Sequence, residues 1–252
     1  MTEKIRNRIL LFVLLIIGWT NVFSQDNSIF DDNRVHYKRE IHGGFFLHNY
    51  GWGLDFAKYY HQTVDKQRYY ELQFSFIHHP KQQKTYSYVV QDPNGYYYGK
   101  LNTFFVFRAI YGKKHIIAHK IRSSGVELAI KWGVGPSLGF LKPVYLDIFV
   151  AEAGGFFDIQ RYDPDRHGVN NIAGRAGGFY GFDEIKFKPG VFLKVGVQIE
   201  YSMKNTGVTG IEAGFALDSY LEPIEIMAYI DNYQIFPMLY LNFFFGMKHN
   251  KL

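Results

Sequence analysis

In residues 126–140 the even and odd positions of the chain separate almost completely. Val126, Leu128, Ile130, Trp132, Val134, Pro136, Leu138 and Phe140 fall on one side, and Glu127, Ala129, Lys131, Gly133, Gly135, Ser137 and Gly139 on the other. Successive side chains of a strand point to opposite faces, so the stretch reads as one long β-strand with an apolar face and a face of small and charged residues. The second face sets the environment. A soluble sheet shows water Lys, Thr, Glu and Gln, whereas Gly and Ala interleaved with a few opposite charges suit a narrow interior. The apolar face is therefore expected to point into lipid and the small, charged face to line the lumen of a tight transmembrane barrel.

Seven other segments show the same period of two: 40–50, 52–61, 68–78, 101–111, 191–201, 211–218 and 236–247. Most have about the 9 to 11 residues that a tilted strand needs to cross the hydrocarbon. Eight strands in all satisfy the even number of a bacterial single-chain barrel. Connection lengths test this independently. The links 62–67, 112–125 and 202–210, after strands two, four and six, are fairly short, and 79–100, 141–190 and 219–235, after strands three, five and seven, are long. Short periplasmic turns alternating with long surface loops are the pattern of an outer-membrane barrel whose N-terminus is periplasmic. Only the link at Gly51 departs from it. The expected fold is all-β, a closed antiparallel transmembrane β-barrel of eight strands. A ten-stranded version would recruit 86–90 and 144–150. Pro136 and Pro237 each remove a ladder hydrogen bond, so a bulge or a strand end is expected at both.

The rest of the composition narrows the class. Lys4, Arg6 and Arg8 precede an apolar core at 9–19, with Val22 and Ser24 before a cut at Gln25. This is the pattern of a signal peptide, since a membrane-spanning helix needs roughly 20 apolar residues. The expected division is a signal peptide at 1–24, a periplasmic lead-in at 25–39, the barrel at 40–248 with a long extracellular loop at 141–190, and a tail at 249–252. Export by the Sec route to the outer membrane follows. Cysteine is absent, which excludes disulfides, thiol catalysis, Cys-ligated metal and a lipoprotein acylation site. The net charge of +5, of which the leader carries +2, gives no basic cluster on one face and no support for nucleic acid binding.

The chain resembles the small outer-membrane β-barrel proteins of Bacteroidota, a largely uncharacterised group. The likeness is carried by the Val-Phe-Ser-Gln end of the leader at 22–25, by Leu-Lys-Pro-Val-Tyr-Leu-Asp-Ile at 141–148, and by Gly-Phe-Asp-Glu-Ile-Lys-Phe-Lys-Pro-Gly-Val at 181–191. The alternating strands extend it over most of the mature chain. The resemblance implies a fold and a group, not an activity. The chain departs from many proteobacterial barrels in having Gly-Met-Lys-His-Asn-Lys-Leu after Phe245 instead of ending on an aromatic residue.

Two sets of residues carry the functional expectations. Asp55, Glu71, Arg108, Glu127, Lys131, Lys194, Glu200 and Glu212 share the inward face and contain both signs. Charges taken out of water need partners, so they are expected to form an ion-pair network plugging the lumen, with a proton or ion path as the rival reading. The loop at 141–190 is expected to bind a partner through Tyr145, Tyr162, Asp163, Arg166, Arg175, Phe179 and Tyr180. Its apolar run 144–150 either prolongs a hairpin above the membrane or folds over the barrel mouth. Trp52, Trp132, Tyr59, Tyr60, Tyr70, Tyr111 and Tyr201 lie toward strand ends or mid-face, and those at strand ends read as interfacial anchors.

An enzymatic site would need a base within reach of a nucleophile and oriented by a third group. His42, His48 and His61 lie near Asp55 in the first hairpin, and His78 and His79 near Ser75. Ser75 and His78 face opposite sides of one strand, so no such site assembles from sequence. Asp163-Pro-Asp165 lacks the other oxygen ligands of a calcium loop, and no metal or cofactor is expected. The reading is a non-enzymatic surface or accessory protein that contacts outer-membrane lipid and another envelope protein, within an assembly or secretion complex or alone. The alternatives are an outer-leaflet lipid-modifying enzyme and a soluble, lipocalin-like barrel with its faces inverted around an apolar ligand.

Overall fold

The computed structural model describes residues 39–90, 95–119, 125–150, 155–201 and 207–249. The expected signal peptide, nearly all of the periplasmic lead-in, and positions 250–252 of the tail lie outside the described residues.

Eight long strands close a barrel: β1 (Arg39–His48), β2 (Gly51–His61), β3 (Lys66–Ile77), β6 (Asn102–Ala118), β7 (Val126–Pro143), β11 (Lys186–Tyr201), β12 (Gly207–Tyr220) and β13 (Ile235–His249). Each pairs antiparallel with its neighbours, and β1 pairs with β13 to complete the ring. The remaining strands are short and lie in two long links. β4 (Lys84–Thr85) and β5 (Tyr96–Tyr97) form a two-stranded ribbon, and β8 (Tyr145–Val150), β9 (Phe156–Arg161) and β10 (Ile172–Arg175) a three-stranded sheet with β8 at its centre. The barrel has eight strands, not ten, because 86–90 forms no barrel strand and 144–150 is taken up by the separate sheet.

The two faces sort by chemistry as strand alternation requires. Along β7, Val126, Ile130, Trp132, Val134 and Leu138 are exposed, while Glu127, Ala129, Lys131 and Ser137 are buried. The same holds around the ring, with Leu54, Leu72, Phe107, Leu193, Phe215 and Leu241 among the exposed side chains. An apolar belt around a closed barrel is far larger than any patch a soluble monomer leaves in water, and its natural solvent is lipid. The inverted, lipocalin-like arrangement is overturned, because the interior carries the charge and the exterior the hydrocarbon.

The small residues of the inner face have a specific cause. A Cβ on Gly112 or Gly133 would lie 2.5 Å from the Tyr69 ring or hydroxyl, one on Gly139 2.6 Å from Phe104, and one on Gly196 2.5 Å from the Tyr240 hydroxyl. Inward aromatics lie across the glycines of other strands and fill the lumen between them. Tyr59 is one of these, at 1% exposure. It is therefore not an interfacial anchor, and its parity with Asp55 and Ala57 gives the reason. Trp52, Tyr70, Tyr111, Trp132 and Tyr201 are exposed on the outside and Tyr60 is partly so.

The proline expectations are corrected. At Pro136 β7 has neither bulge nor end: its ladder to β11 runs on, and only the pairing to β6 lapses opposite Ala109 and Ile110. Pro237 also lies within a continuous ladder to β12, but beyond the point where β1 stops at the His48–Tyr240 pair. There the Asn49 side chain takes over from β1, donating to the Pro237 carbonyl at 3.3 Å and accepting from the Leu239 N–H at 3.1 Å. A missing N–H is tolerated on a strand edge that has outrun its neighbour. The fourth barrel strand also runs to Ala118 instead of stopping near Tyr111. Its outward positions Lys113 and His115 are polar because that end has left the hydrocarbon, and apolar alternation cannot register it.

At the long-loop end the barrel is covered. Ile224, Ile226 and Met227 from the link after β12 pack on Ile77, Phe104, Val106, Leu141, Tyr220 and Phe236. The Leu101 N–H donates to the Ile226 carbonyl at 2.9 Å, tying that cover to the link before β6.

Arginine at Leu193 or Val195, in the middle of the belt, is expected to prevent assembly, at about 2 to 4 kcal/mol for each charge near the bilayer midplane. Arginine at Ile117, beyond the belt, should be tolerated. Gel mobility of unheated against boiled membrane fractions reports both outcomes.

Candidate functional site

The lumen contains charged side chains at three levels. At the middle level, four strands supply alternating charges. Lys131 Nζ lies 2.8 Å from Glu71 and 2.9 Å from Glu212, and Lys194 Nζ lies 2.7 Å from Glu71 and 3.3 Å from Glu212. Tyr240 donates its hydroxyl to Glu212 at 2.7 Å and Gln73 its amide to Glu71 at 2.6 Å. Lys131 also sits 4.4 Å from the Tyr69 ring centroid, a cation over a π-face. Two lysines and two glutamates cancel, which is the condition for holding four charges away from water.

Toward the short-turn end, Lys114 Nζ meets Glu127 at 2.9 Å and Glu200 at 3.7 Å, and Lys248 meets Glu200 at 2.8 Å and Glu40 at 3.7 Å. His61 and His42 approach Glu40 at 2.9 and 3.3 Å. Toward the long-loop end, Arg108 grips Asp218 Oδ2 through Nε and Nη2 at 3.0 and 2.6 Å, and its guanidinium lies 4.6 Å from the Phe192 ring centroid.

All eight of the charged residues assigned inward from the sequence are buried. Seven of them enter these ion pairs. Asp55 stands apart. Its Oδ1 has no hydrogen-bond partner among the described residues, and with Asn242 Oδ1 it borders the space that a Cβ on Gly44 would occupy, at 2.5 and 2.7 Å.

Four members were missed: Glu40, Lys114, Asp218 and Lys248. Glu40 and Lys248 are directly paired across β1 and β13, and Lys114 lies where the outward face has turned polar. Glu40 and Asp218 already lie at inward parity inside the segments 40–50 and 211–218, and continuing the parity past 101–111 and 236–247 would have found Lys114 and Lys248. A cavity of about 10 Å³, bordered by His48, Gln73, Arg108 and Lys194, has room for about one water molecule.

The histidines form different contacts from those weighed in the sequence. His48, not His78, reaches Ser75, with Nε2 2.8 Å from Oγ. His48 Nδ1 lies 3.3 Å from the Tyr50 backbone N–H, which can only donate to it. The ring proton therefore sits on Nε2 and is donated to Ser75. A base that activates serine needs the opposite tautomer, with Nδ1–H held by an acid. His79 stacks on Tyr233 at 5.1 Å.

The loop residues divide as well. Tyr162 is buried with Tyr96, Leu146, Ile148 and Ile172 in the core of the small sheet, so it packs that sheet and is not offered to a partner. Tyr145 donates to Glu184, which also pairs with Arg161 at 3.0 Å. That hydrogen bond to a carboxylate raises the Tyr145 pKa. Asp163 closes a turn, accepting from the Arg166 and His167 N–H groups, and lies 3.7 Å from the Arg166 side chain. Phe179 is 90% exposed, and Tyr180 and Arg175 are exposed. The run 144–150 follows directly on β7 and supplies the central strand of the small sheet.

No protein-family model matches the chain, and no curated protein matches it in sequence. Among solved structures it is similar to Ail, the attachment invasion locus protein of Yersinia pestis, in complex with the heparin analogue sucrose octasulfate, at 9% identity over 85% of this chain and 100% of that one, with a TM-score of 0.42. It is also similar to Neisserial surface protein A, at 7% identity over 84% and 96% with a TM-score of 0.40. The N-terminal β-barrel domain of Pseudomonas aeruginosa OprF matches at 9% identity over 83% and 98%, with a TM-score of 0.36. Likenesses this distant bear on no ligand or activity.

Replacing Arg108 by Met leaves Asp218 buried without a counter-charge and is expected to lower stability by about 3 to 5 kcal/mol. Adding Asp218→Leu should recover most of that loss, because two apolar side chains leave nothing unpaired. Urea unfolding of the refolded barrel in detergent measures both. Ring closure and the outward apolar face together establish an eight-stranded β-barrel of the outer membrane.

Proposed function

We propose that the chain is a non-enzymatic outer-membrane barrel with a plugged lumen that serves as a surface or accessory protein and binds a protein partner through its extracellular loops. The observation that carries this reading is β9. It is an outer strand of the small sheet, paired among the described residues only to β8, and Phe156, Phe157 and Ile159 are all exposed along it. A strand with a free edge and unburied aromatics is a template for one more strand. The lumen network supports the plug, since paired charges and aromatic rings occupy the space a solute would need. The tautomer of His48 supports the non-enzymatic assignment.

Three finer points belong to the same proposal. Residues 1–24 direct export and are removed, the short turns face the periplasm, and the chain belongs with the Bacteroidota barrels that its segments 141–148 and 181–191 resemble. The partner is a component of an outer-membrane assembly or secretion complex.

A photo-crosslinking residue at Phe157 should capture one envelope protein in the native host. Ile159→Pro, which removes an edge N–H, should abolish capture and leave the heat-shifted band unchanged. If neither Phe157 nor Phe179 captures a protein, the loop reading fails. The enzymatic alternative is tested separately: Ser75→Ala and His48→Ala should leave the lipid A mass spectrum as in wild type, and a lost or gained acyl chain would establish that alternative instead.

A further inference from the structure

The barrel strands sort their charges by sign as well as by face. They carry seven carboxylates, from Glu40 on β1 to Asp218 on β12, and all seven are buried in the lumen. The outward positions of the same strands carry cations and no acidic residue. Four of these cations gather at the short-turn end of one side of the barrel.

Strand register assembles them. Arg39 on β1 is paired with Tyr60 on β2, Tyr60 with Arg68 on β3, and Arg68 with Lys113 on β6. Paired positions share a face and lie about 5 Å apart from strand to strand, so these four side chains form one row along the outside of the barrel. Lys58 enters from the next row, where it is paired with Ile41 and Tyr70. The charged groups converge too. Arg39, Lys58 and Arg68 all approach the Tyr60 ring, at 5.9, 5.5 and 5.6 Å from its centroid. Lys113 lies 5.9 Å from the ring centroid of Trp132, its own partner on β7. Arg39, Arg68 and Lys113 are exposed and Lys58 is partly so. The sequence shows no basic cluster on one face because each strand contributes one of these cations, and only pairing brings them together.

Like charges directly opposite on neighbouring strands are destabilising, and Arg68 and Lys113 are such a pair. None of the four has a carboxylate partner among the described residues, and Asp65 in the adjoining turn is engaged by His119 at 2.6 Å. The aromatic contacts offset part of the repulsion and leave the charge in place. The surroundings define what would neutralise it. Immediately toward the belt, Ile41, Phe56, Tyr70, Leu72 and Tyr111 are exposed. A ligand that satisfies both features is anionic at one end and hydrocarbon at the other, and the belt already places such molecules beside the row.

We propose that Arg39, Lys58, Arg68 and Lys113 bind the phosphate of an anionic phospholipid in the leaflet at the short-turn end, with its acyl chains lying along Phe56 and Leu72. The arginine forks match phosphate oxygens two at a time, and the lysines add point charges. The site uses the lipid-facing surface of the barrel and does not depend on the β9 partner reading.

The test places the full chain in phosphatidylcholine vesicles that contain a minority of phosphatidylglycerol brominated on its acyl chains. Trp19→Phe and Trp52→Phe leave Trp132, beside Lys113, as the one tryptophan of the chain, and bromine in contact with it quenches its fluorescence. Brominated phosphatidylglycerol should quench more than the same fraction of brominated phosphatidylcholine, and the preference should fall as salt rises. Arg68→Gln with Lys113→Gln removes two exposed charges, so the heat-shifted band should stay while the preference drops about tenfold, the effect of two exposed ion pairs. Lys142→Gln, an outward cation at the other end of β7, should leave the preference as in wild type. Equal quenching by the two lipids, an unchanged preference in the double variant, or an equal loss with Lys142→Gln overturns the proposal. Fluorescence restored by inorganic phosphate at the concentration of the lipid would assign the row to a soluble anion and overturn it as well.

Discussion

A backbone amide in hydrocarbon has no water to turn to, and that constraint orders the rest of this structure. Each strand must be paired on both sides, so the sheet has to close, and β1 meets β13 for that reason. Closure at eight strands leaves an interior only wide enough for side chains. Alternation then gives each residue one of two destinations, lipid or that narrow core. The places where the ladder is imperfect show the same rule. Asn49 satisfies the β13 backbone beyond the end of β1, and Pro237 falls where no donor is required.

Once the interior is narrow, its contents are strongly determined. Tyr69 can cross the lumen only because Gly112 and Gly133 have no Cβ where its ring lies. The charges that remain must be paired, and Glu71, which serves both Lys131 and Lys194, joins β3 to two strands on the other side of β6. A one-residue slip of any strand would move its charges to the lipid face and its hydrocarbon into the core. The ion pairs therefore contribute as much to register as to stability, since a well-packed apolar core could replace them at little cost.

Above the belt the rules change because water is available. There the chain builds a second small core around Tyr96, Leu146, Tyr162 and Ile172 and leaves apolar side chains of β9 uncovered. An open aromatic edge is a feature of a surface made to be occupied, and it belongs to a loop, where a scaffold can carry function without disturbing its own closure.

Eight strands rather than ten was decided by the tertiary structure, where 144–150 pairs in a separate sheet. The alternation of Val126 to Phe140, repeated in seven other segments, made a closed barrel with a lipid-facing side legible, because a period of two beside glycine-rich inward positions has few other physical solutions. Inward charges such as Glu71, Lys131 and Glu212 were legible for the same reason. Their partners were not, because parity assigns a residue to a face and says nothing of its height in the barrel or its neighbours across the lumen. Lys114 and Lys248 were missed where strands continue past the hydrocarbon and the apolar signal ends. Ser75 and His48 are 27 residues apart in sequence and meet only through the pairing of strands. Tyr162 looked available for binding because loop composition does not reveal a local core. The sharing of Glu71 by Lys131 and Lys194 was decided by the tertiary structure alone, since only closure of the ring brings charges so distant in sequence to one height in the lumen.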